Sequence, residues 1–569
     1  MTAPAYPPFT AVEELEAHLG DPRDDDLVFS FAACAELDEA EAFPDEICAH
    51  LEAWGVHHHY VPEHLGGRLH SFEHAAHLLR AIARRDLTVA IGHGKTFLGA
   101  VSAWVGGDPR VARAVADEVL AGTPISWGLT ERAHGSDLLA DEVTAVRDGD
   151  TWRVTGEKWL INNATRGEIT AVLARTAPEG GARGFDVIFV DKRYLPADAY
   201  ACLPKEHTMG IRGADISGIR YVDAVVPESA RVGAPGAGAE IVLRGLQLTR
   251  TLCAALALGG GEHALRTATT LLRDRVAEPT VRRRLLDAYA DHVANEVVTT
   301  VAARCVHHLP GEMSVVSAVA KYLVPLRTDA FIRALAEPLG LAAVTSGTFE
   351  KVARDNRLVD LFDGNRVVNL HAVVNQFPLL AGSWARPADP WAVFDLGAPC
   401  PPFEPGKSRM IAAKGVSVVR ALADAVVRFE QAAADDSALA HALPLVRGLA
   451  CAAERVREEL AALPPAGVRV PVEHFAVAER FALVFAGAAA LGTWLATRDG
   501  AVVAGAEEAW AGAAWPSAVL HRVLSGLGEE PPPLDAAVAE LLLNRLLSQV
   551  DSGRLLSVLS CRVAESGSL

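Results

Sequence analysis

The chain has 569 residues, half of them hydrophobic and 22% charged, which is enough apolar material for about three to four domains. Its formal net charge of −18 argues against nucleic acid as a partner, because the phosphates would be repelled. The eight cysteines are scattered and form no C-x-x-C pair, so no metal site is predicted and reduced thiols in the cytoplasm are the simple interpretation. The N-terminus is polar and acidic, which is not typical of a signal peptide.

The first part of the chain has a helical pattern. Apolar residues recur at helical spacing, as in the set Ala75, Leu78, Leu79, Ile82 and Ala83. Turn signals at Gly66-Gly67 and Gly106-Gly107 separate the elements. We therefore predict a helical N-terminal domain over residues 1–122.

The next segment changes to β character. Residues 143–147 and 151–154 alternate β-forming residues around Asp148-Gly149, which predicts a hairpin. Three further strands are predicted, at residues 171–175, 186–190 and 218–222. A β domain over residues 123–232 is thus inserted between helical regions.

Helical patterns return after the β segment. We predict a helical domain over residues 233–385, and then a Pro-rich linker and a C-terminal helical extension over residues 386–569, broken at Pro464-Pro465 and Pro531–Pro533. The apolar run Phe481–Thr497 falls short of the ~20 residues that span a bilayer. A buried bundle helix is the favoured interpretation of this run, with membrane contact as the alternative.

Two neighbouring motifs, Thr130–Asp137 and Trp152–Asn163, resemble the flavin-binding segments of the acyl-CoA dehydrogenase family. Four further segments resemble that family in the same order, namely Tyr60–Gly67, Arg80–Leu87, Met209–Gly218 and Phe349–Asp355. The resemblance runs from about Val56 to Asn375. It implies a mainly α fold with an inserted β-barrel domain. The added helices are similar to the extension of the very-long-chain branch, where the extension is tied to dimers and membrane association.

The resemblance implies FAD as the cofactor and assigns residues to it. Leu129 and Thr130 would lie against the pyrimidine edge of the isoalloxazine, and Gly135 and Ser136 near the pyrophosphate. Gly135 permits close approach of the backbone, and Ser136 offers a hydroxyl donor to a phosphate oxygen. The alternative for this segment is an ordinary strand-to-loop turn.

Two positions depart from the family around the flavin ring. Leu160 stands where many members have a Trp that covers one flavin face, and Asn162 stands where they have a Thr that bonds to N5. Trp159 is one place earlier, and Asn162 could donate an amide hydrogen bond. These changes would alter hydride acceptance or oxygen reactivity, unless Trp159 simply packs in the β domain.

The segment Phe362-Asp363-Gly364-Asn365 takes the place of the family's Y-E-G-T, whose Glu is the base that removes the proton α to the thioester carbonyl. Asp363 is therefore the candidate base, Arg250 the candidate cation that tunes it, and Asn365 a candidate FAD contact. Asp is one methylene shorter than Glu, and misplacing a base by about 1 Å can cost ~100-fold. The alternative is a turn or helix-capping carboxylate.

The segments expected to contact a partner subunit also depart from the family. Arg275–Pro279 keeps Arg275 but lacks the Phe and Gly of the family's R-x-x-F-G stretch, which reaches the FAD of a neighbouring subunit. Leu339–Ala342 only partly resembles the G-G-x-G segment. A homo-oligomer, with a dimer favoured, would then hold FAD by different contacts or more weakly.

Three functions follow from the resemblance. The first is FAD-dependent oxidation of an acyl thioester carried by CoA or an acyl carrier protein, with an electron-transfer flavoprotein or O2 as acceptor. The second is an oxygen-using monooxygenase or oxidase, because nitroalkane oxidase of this fold family uses an Asp as its base. The third is a non-catalytic paralogue that binds a thioester or a partner.

Two other motifs are weaker signals. The glycines of 233–238 do not follow a confident buried strand, as a dinucleotide loop requires. His57-His58-His59 is expected to be a surface cluster, because consecutive histidines point in different directions and cannot form a helix metal site.

Overall fold

The computed structural model describes residues 6–467 and 469–565. The N-terminal part consists of the helices α1 (Pro7–Leu19), α2 (Phe31–Glu39), α3 (Asp45–Trp54), α4 (Phe72–Arg85), α5 (Leu87–Gly106) and α6 (Pro109–Leu120). Asp86 begins α5 by accepting a hydrogen bond from the Val89 backbone N–H, and the glycine pair at its end stops it, since Gly107 has φ 73°. The helical N-terminal region is as predicted.

The middle of the chain forms one eight-stranded sheet, built from β1 (Ile125–Gly128), β2 (Thr144–Asp148), β3 (Thr151–Asn162), β4 (Ile169–Arg175), β5 (Phe185–Asp191), β6 (Tyr200–Leu203), β7 (Ile216–Pro227) and β8 (Arg231–Val232). Its order is β6-β7-β3-β2-β4-β5-β8, with β1 parallel to β4. The predicted hairpin is confirmed, since β2 and β3 are antiparallel around the positive-φ Gly149. In the described chain no pairing joins β6 to β8, so the strand path has two ends.

Long helices follow the sheet and carry most of the core. They are α7 (Gly238–Leu271), α8 (Pro279–His308), α9 (Met313–Leu339), α10 (Ala342–Thr345), α11 (Gly347–Val359), α12 (Arg366–Val374), α13 (Phe377–Ser383) and α14 (Trp391–Phe394). Helix α7 packs against α4, α5, α8, α9 and α11, so it forms the centre of the molecule. Residues from α5 and α7 therefore face the same interior as the turn between α11 and α12.

The C-terminal extension is helical up to its last segment. Its helices are α15 (Ser417–Arg420), α16 (Leu422–Asp435), α17 (Leu443–Ala462), α18 (Val472–Thr497), α19 (Glu507–Trp510), α20 (Ala514–Gly526) and α21 (Ala536–Asp551). The predicted Pro breaks fall between helices. The expectation of helix to the end is wrong for residues 552–565, which we call the C-terminal tail. This tail is irregular and folds back on itself through a bridge between Arg554 and Arg562. It packs on the N-terminal helices and on α7 and α8.

The Pro-rich connection is tightly packed rather than loose. Phe394 and Phe403 are buried in it, and the Arg304 guanidinium from α8 donates hydrogen bonds to four of its backbone carbonyls. The connection is thus fixed to the helical domain.

Among the described residues, the helices α7 and α18 are long and apolar enough to cross a membrane, but 89% and 72% of their most apolar stretches are buried within the protein. Burial of α18 agrees with the prediction of a bundle helix for Phe481–Thr497. The surface prediction for the three histidines is wrong for His59, which is 8% exposed in a 3-10 turn and stacks on Trp54. No group of metal-ligating side chains occurs in the described part of the chain.

Candidate functional site

Asp363 lies in a strained turn between α11 and α12. Its φ of 55° is in the left-handed region, and Gly364 follows with φ 96°. Asp tolerates this region better than most residues, but it still costs about 1 kcal/mol or more, and such strain is concentrated at functional sites. A side chain on Gly364 would approach the Arg250 guanidinium at 3.1 Å, so the turn packs directly against α7.

Two side chains fix this turn through its backbone. The Arg250 Nε donates to the Asp363 carbonyl at 3.1 Å, and the Asn369 Nδ2 donates to the Gly364 carbonyl at 2.7 Å. Asn365 begins α12 by accepting from the Val368 N–H at 3.1 Å. The cap of this helix is therefore Asn365 and not Asp363, whereas the other half of that alternative, a turn carboxylate, describes where Asp363 lies.

The Asp363 carboxylate faces α7. Its Oδ2 accepts a hydrogen bond from the Cys253 thiol at a distance of 3.6 Å. Cys253 is buried, and this burial together with the negative charge of Asp363 raises the pKa of the thiol well above its usual value. The thiol is consequently a neutral donor, and the Asp363 carboxylate is the hydrogen-bond acceptor of the pair.

Three basic side chains surround this carboxylate, and the sequence had assigned only Arg250 to the site. Lys95 from α5 is partly buried, and Lys321 from α9 is fully buried. Burial lowers the pKa of each lysine, while the negative charge of Asp363 opposes that shift. Lys321 donates to the Val359 carbonyl at 2.7 Å, which satisfies part of its ammonium. Each of these two lysines is a single Lys within an apolar helical stretch of the sequence. A Lys in such a stretch is seldom buried without a partner, and this pattern could have indicated both residues.

The two flavin motifs meet in the sheet domain. The backbone N–H of Trp159 donates to the Thr130 carbonyl at 2.9 Å, which joins the segment after β1 to β3. The Lys158 ammonium lies beneath them and donates to the Leu129 carbonyl at 3.0 Å, to Glu131 at 2.9 Å and to Asp141 at 2.7 Å. This buried ion cluster fixes the backbone of residues 129–142.

The segment assigned to the pyrophosphate is open. Gly135 has φ 48°, and a Cβ placed on it would meet no atom within 4 Å. Ser136 next to it is exposed. An open glycine and an accessible hydroxyl fit a bound phosphate group.

Asn162 and Asn163 attach the end of β3 to helix α5. Asn162 Nδ2 donates to the Ile91 carbonyl at 3.1 Å, and Asn163 Nδ2 donates to the Gly92 carbonyl at 2.8 Å. The Oδ1 atom of each is buried and has no hydrogen-bond partner in the described chain. Since the amide nitrogen of Asn162 is engaged by Ile91, its free atom is an acceptor. Such an orphaned polar atom fits a site that is completed by a bound polar ring such as a flavin.

Leu160 and Trp159 take different surroundings. Leu160 adopts φ 59° at a bulge between β3 and β7 and is 44% exposed. Trp159 donates its indole N–H to Glu206 at 2.6 Å and stacks under the Arg132 guanidinium at 4.2 Å. Trp159 therefore packs within the β domain, as its alternative interpretation held.

Arg275 lies in the turn between α7 and α8, far along the chain from the predicted flavin segments at residues 129–163. It is exposed and donates to Glu278 at 2.8 Å and to the Pro338 carbonyl at 2.7 Å. The second departing segment begins at Leu339, so both departures from the family's inter-subunit pattern lie side by side. A role for Arg275 in binding FAD stays a prediction.

Comparison with known proteins identifies the two central domains. Residues 126–224 match the family model "Acyl-CoA dehydrogenase, middle domain", and residues 236–376 match "Acyl-CoA dehydrogenase, C-terminal domain". A probable acyl-CoA dehydrogenase, fadE25 of Mycobacterium leprae, is 27% identical over 349 residues, which is 59% of this chain and 87% of the relative.

Solved structures share the fold. An acyl-CoA dehydrogenase complexed with FAD from Bacillus anthracis superposes with a TM-score of 0.67 at 17% identity, over 96% of this chain and 91% of that one. The prolyl acyl carrier protein oxidase AnaB superposes with a TM-score of 0.58 at 17% identity, over 64% of this chain and 97% of that one. The first similarity includes the C-terminal extension, so the added helices are part of a known arrangement of this fold.

Proposed function

We propose that this chain, whose residues 126–224 and 236–376 match domains of the acyl-CoA dehydrogenase family, is an FAD-dependent oxidoreductase that oxidises an acyl thioester with Asp363 as the catalytic base. The observation that carries the proposal is the Asp363 turn: a carboxylate in a strained backbone, held through its carbonyl by Arg250, with a neutral thiol as its hydrogen-bond donor.

The geometry lets Asp363 act although it is shorter than the family's Glu. A misplacement of the base by about 1 Å can cost ~100-fold in rate, and the two hydrogen bonds from Arg250 and Asn369 to the backbone fix this turn. The Asp363 carboxylate would take the proton from the carbon α to the thioester carbonyl. Arg250 would stabilise the negative charge that develops on the carbonyl oxygen.

The flavin would occupy the region between the β domain and α5. Leu129, Thr130, Gly135 and Ser136 would contact it along the open segment after β1, and Asn162 would offer Oδ1 as an acceptor. Bound FAD supplies a hydride acceptor for the β carbon of the acyl group. The proposal covers both carriers of the thioester, CoA and an acyl carrier protein.

An oxygen-using oxidase or monooxygenase is the second candidate. The observation that favours it is the free acceptor at Asn162, because an acceptor stabilises a protonated flavin N5 rather than an unprotonated one. The two candidates differ in how the reduced enzyme treats oxygen.

The test is a visible spectrum of the purified protein, followed by anaerobic addition of an acyl thioester and then of air. Bleaching by the thioester with slow reoxidation supports a dehydrogenase, and reoxidation within seconds supports the oxygen-using enzyme. A protein that binds no FAD after reconstitution would contradict both.

A further inference from the structure

Lys95 lies on the face of α5 that contacts the flavin side of the site. Ile91 is four residues earlier and thus on the same helix face, and its carbonyl accepts the hydrogen bond from Asn162. Side chains on a helix lean back over the preceding turn, so the Lys95 stem covers the turn that Asn162 touches. This places Lys95 beside the residue assigned to the flavin ring.

Lys95 is also within electrostatic reach of the base. The group whose negative charge favours the Lys95 ammonium is Asp363, in the turn between α11 and α12. Burial acts in the opposite sense and lowers the pKa of Lys95. The lysine is therefore near both Asn162 and Asp363, the region in which the acyl group of a substrate would bind.

The Lys95 ammonium has no protein partner in the described chain. Within residues 6–467 and 469–565, no carboxylate oxygen lies within 4.0 Å of it, and it makes no hydrogen bond. An ammonium has three donors, and leaving them unmade in a partly buried site is unfavourable. A ligand that brings acceptor oxygens would satisfy them.

The local charge balance indicates the sign of that ligand. Arg250 uses only its Nε, on the Asp363 carbonyl, and it too forms no ion pair within the described residues. Lys95 and Arg250 together exceed the single negative charge of Asp363. Uncompensated positive charge in a partly buried site favours an anion as the bound group.

We propose that Lys95 is a specificity-determining residue that binds an anionic group, a carboxylate, on the acyl part of the thioester. The proposal rests on the function proposed above and names its substrate class: an acyl thioester whose acyl chain ends in a carboxylate. A neutral thioester carbonyl would satisfy a donor without balancing the charge, so the carboxylate is the better match.

The test compares two probes of equal acyl length, glutaryl-CoA and pentanoyl-CoA, which differ in a terminal carboxylate. Their dissociation constants are measured by calorimetry on the FAD-loaded protein, and flavin bleaching is recorded separately. The variants are Lys95→Met, which keeps the stem, Lys95→Arg, which keeps the charge, and the surface control Lys205→Met, whose partner is Glu41. The flavin content of each variant reports whether it has folded.

The wild-type protein and Lys205→Met should bind glutaryl-CoA at least about 30-fold more tightly than pentanoyl-CoA. Lys95→Met should abolish that preference, and Lys95→Arg should retain most of it. Equal binding of the two probes by the wild-type protein would overturn the proposal. So would a Lys95→Met variant that weakens both probes equally while shifting the flavin reduction potential, because Lys95 would then act on the flavin. Selective binding without bleaching would support the role of Lys95 while contradicting the oxidation.

Discussion

Replacing Glu262 with glutamine is expected to loosen the C-terminal tail from the core. Glu262 is fully buried on α7. Its Oε2 accepts from the Arg80 guanidinium of α4 at 2.8 Å, and its Oε1 accepts from the Leu556 N–H of the tail at 2.9 Å. One carboxylate thus joins the N-terminal helices, the central helix and the end of the chain.

The size of the effect follows from the charge environment. Burial raises the pKa of Glu262, but Arg80 and His292 outweigh it and lower the pKa from 4.5 to about 2. Because the folded pKa is below the unfolded one, the stability is present above pH 4.5 and is lost as the pH falls through about 2. That shift corresponds to about 3 kcal/mol. Glutamine has one acceptor oxygen and cannot accept from both Arg80 and Leu556, whereas Arg80 keeps Glu296 at 2.6 Å, so the expected loss is about 2–4 kcal/mol.

Urea unfolding of the FAD-loaded protein at pH 7 measures this loss, with proteolysis at Arg554 and Arg562 reporting release of the tail. The matched control is Glu337→Gln, which removes an exposed ion pair with Arg284 and should change stability by no more than about 0.5 kcal/mol. If Glu262→Gln unfolds at the same urea concentration as this control, the buried pair does not anchor the tail and the reasoning is refuted.

Three further predictions concern the flavin segment. The variants Gly135→Val and Gly149→Val each put a β-branched residue at positive φ in open space, at a similar cost in stability of about 1–2 kcal/mol. Only Gly135→Val should weaken FAD binding in a fluorescence titration. Equal FAD affinities of the two variants would show that Gly135 does not contact the cofactor. Lys158→Met leaves two buried carboxylates unpaired and should release flavin on gel filtration, unlike Lys205→Met; retention of flavin would show that the cluster does not support the segment. Burial raises the pKa of Asp141 from 3.8 to about 6 against the attraction of Lys158, so the stability from this group is present below pH 3.8 and is lost as the pH rises through about 6. Relative to Asp141→Asn, the wild-type protein should therefore lose about 2 kcal/mol between pH 4 and 7, and a constant difference would contradict this.

The sequence predicted the elements whose signals are local. The hairpin around Gly149 needed only alternating β formers and a turn, and the helices around it needed only apolar spacing. It could not predict the C-terminal tail, because Leu556 and Val558 are fixed by carboxylates about 260 to 290 residues away in the chain. Contacts of that separation leave no periodic pattern.

The candidate site was predictable where it follows a motif. Asp363 and Arg250 came from aligned positions and do lie together, although Arg250 holds the backbone of Asp363 rather than its carboxylate. Cys253 and Lys95 were missed, since their proximity to Asp363 depends on how α5 and α7 pack. His59 was misjudged because a 3-10 turn buried one histidine of three.

The most direct test of the account is the rate at which an acyl thioester bleaches the bound flavin without oxygen, in the wild-type protein and in Asp363→Asn. Asp360→Asn is the control, since its carboxylate lies in the same turn but pairs with Arg366. The account predicts that Asp363→Asn binds FAD normally and bleaches at least about 100-fold more slowly, while Asp360→Asn keeps the wild-type rate. Bleaching of Asp363→Asn at the wild-type rate would contradict the assignment of Asp363 as the base.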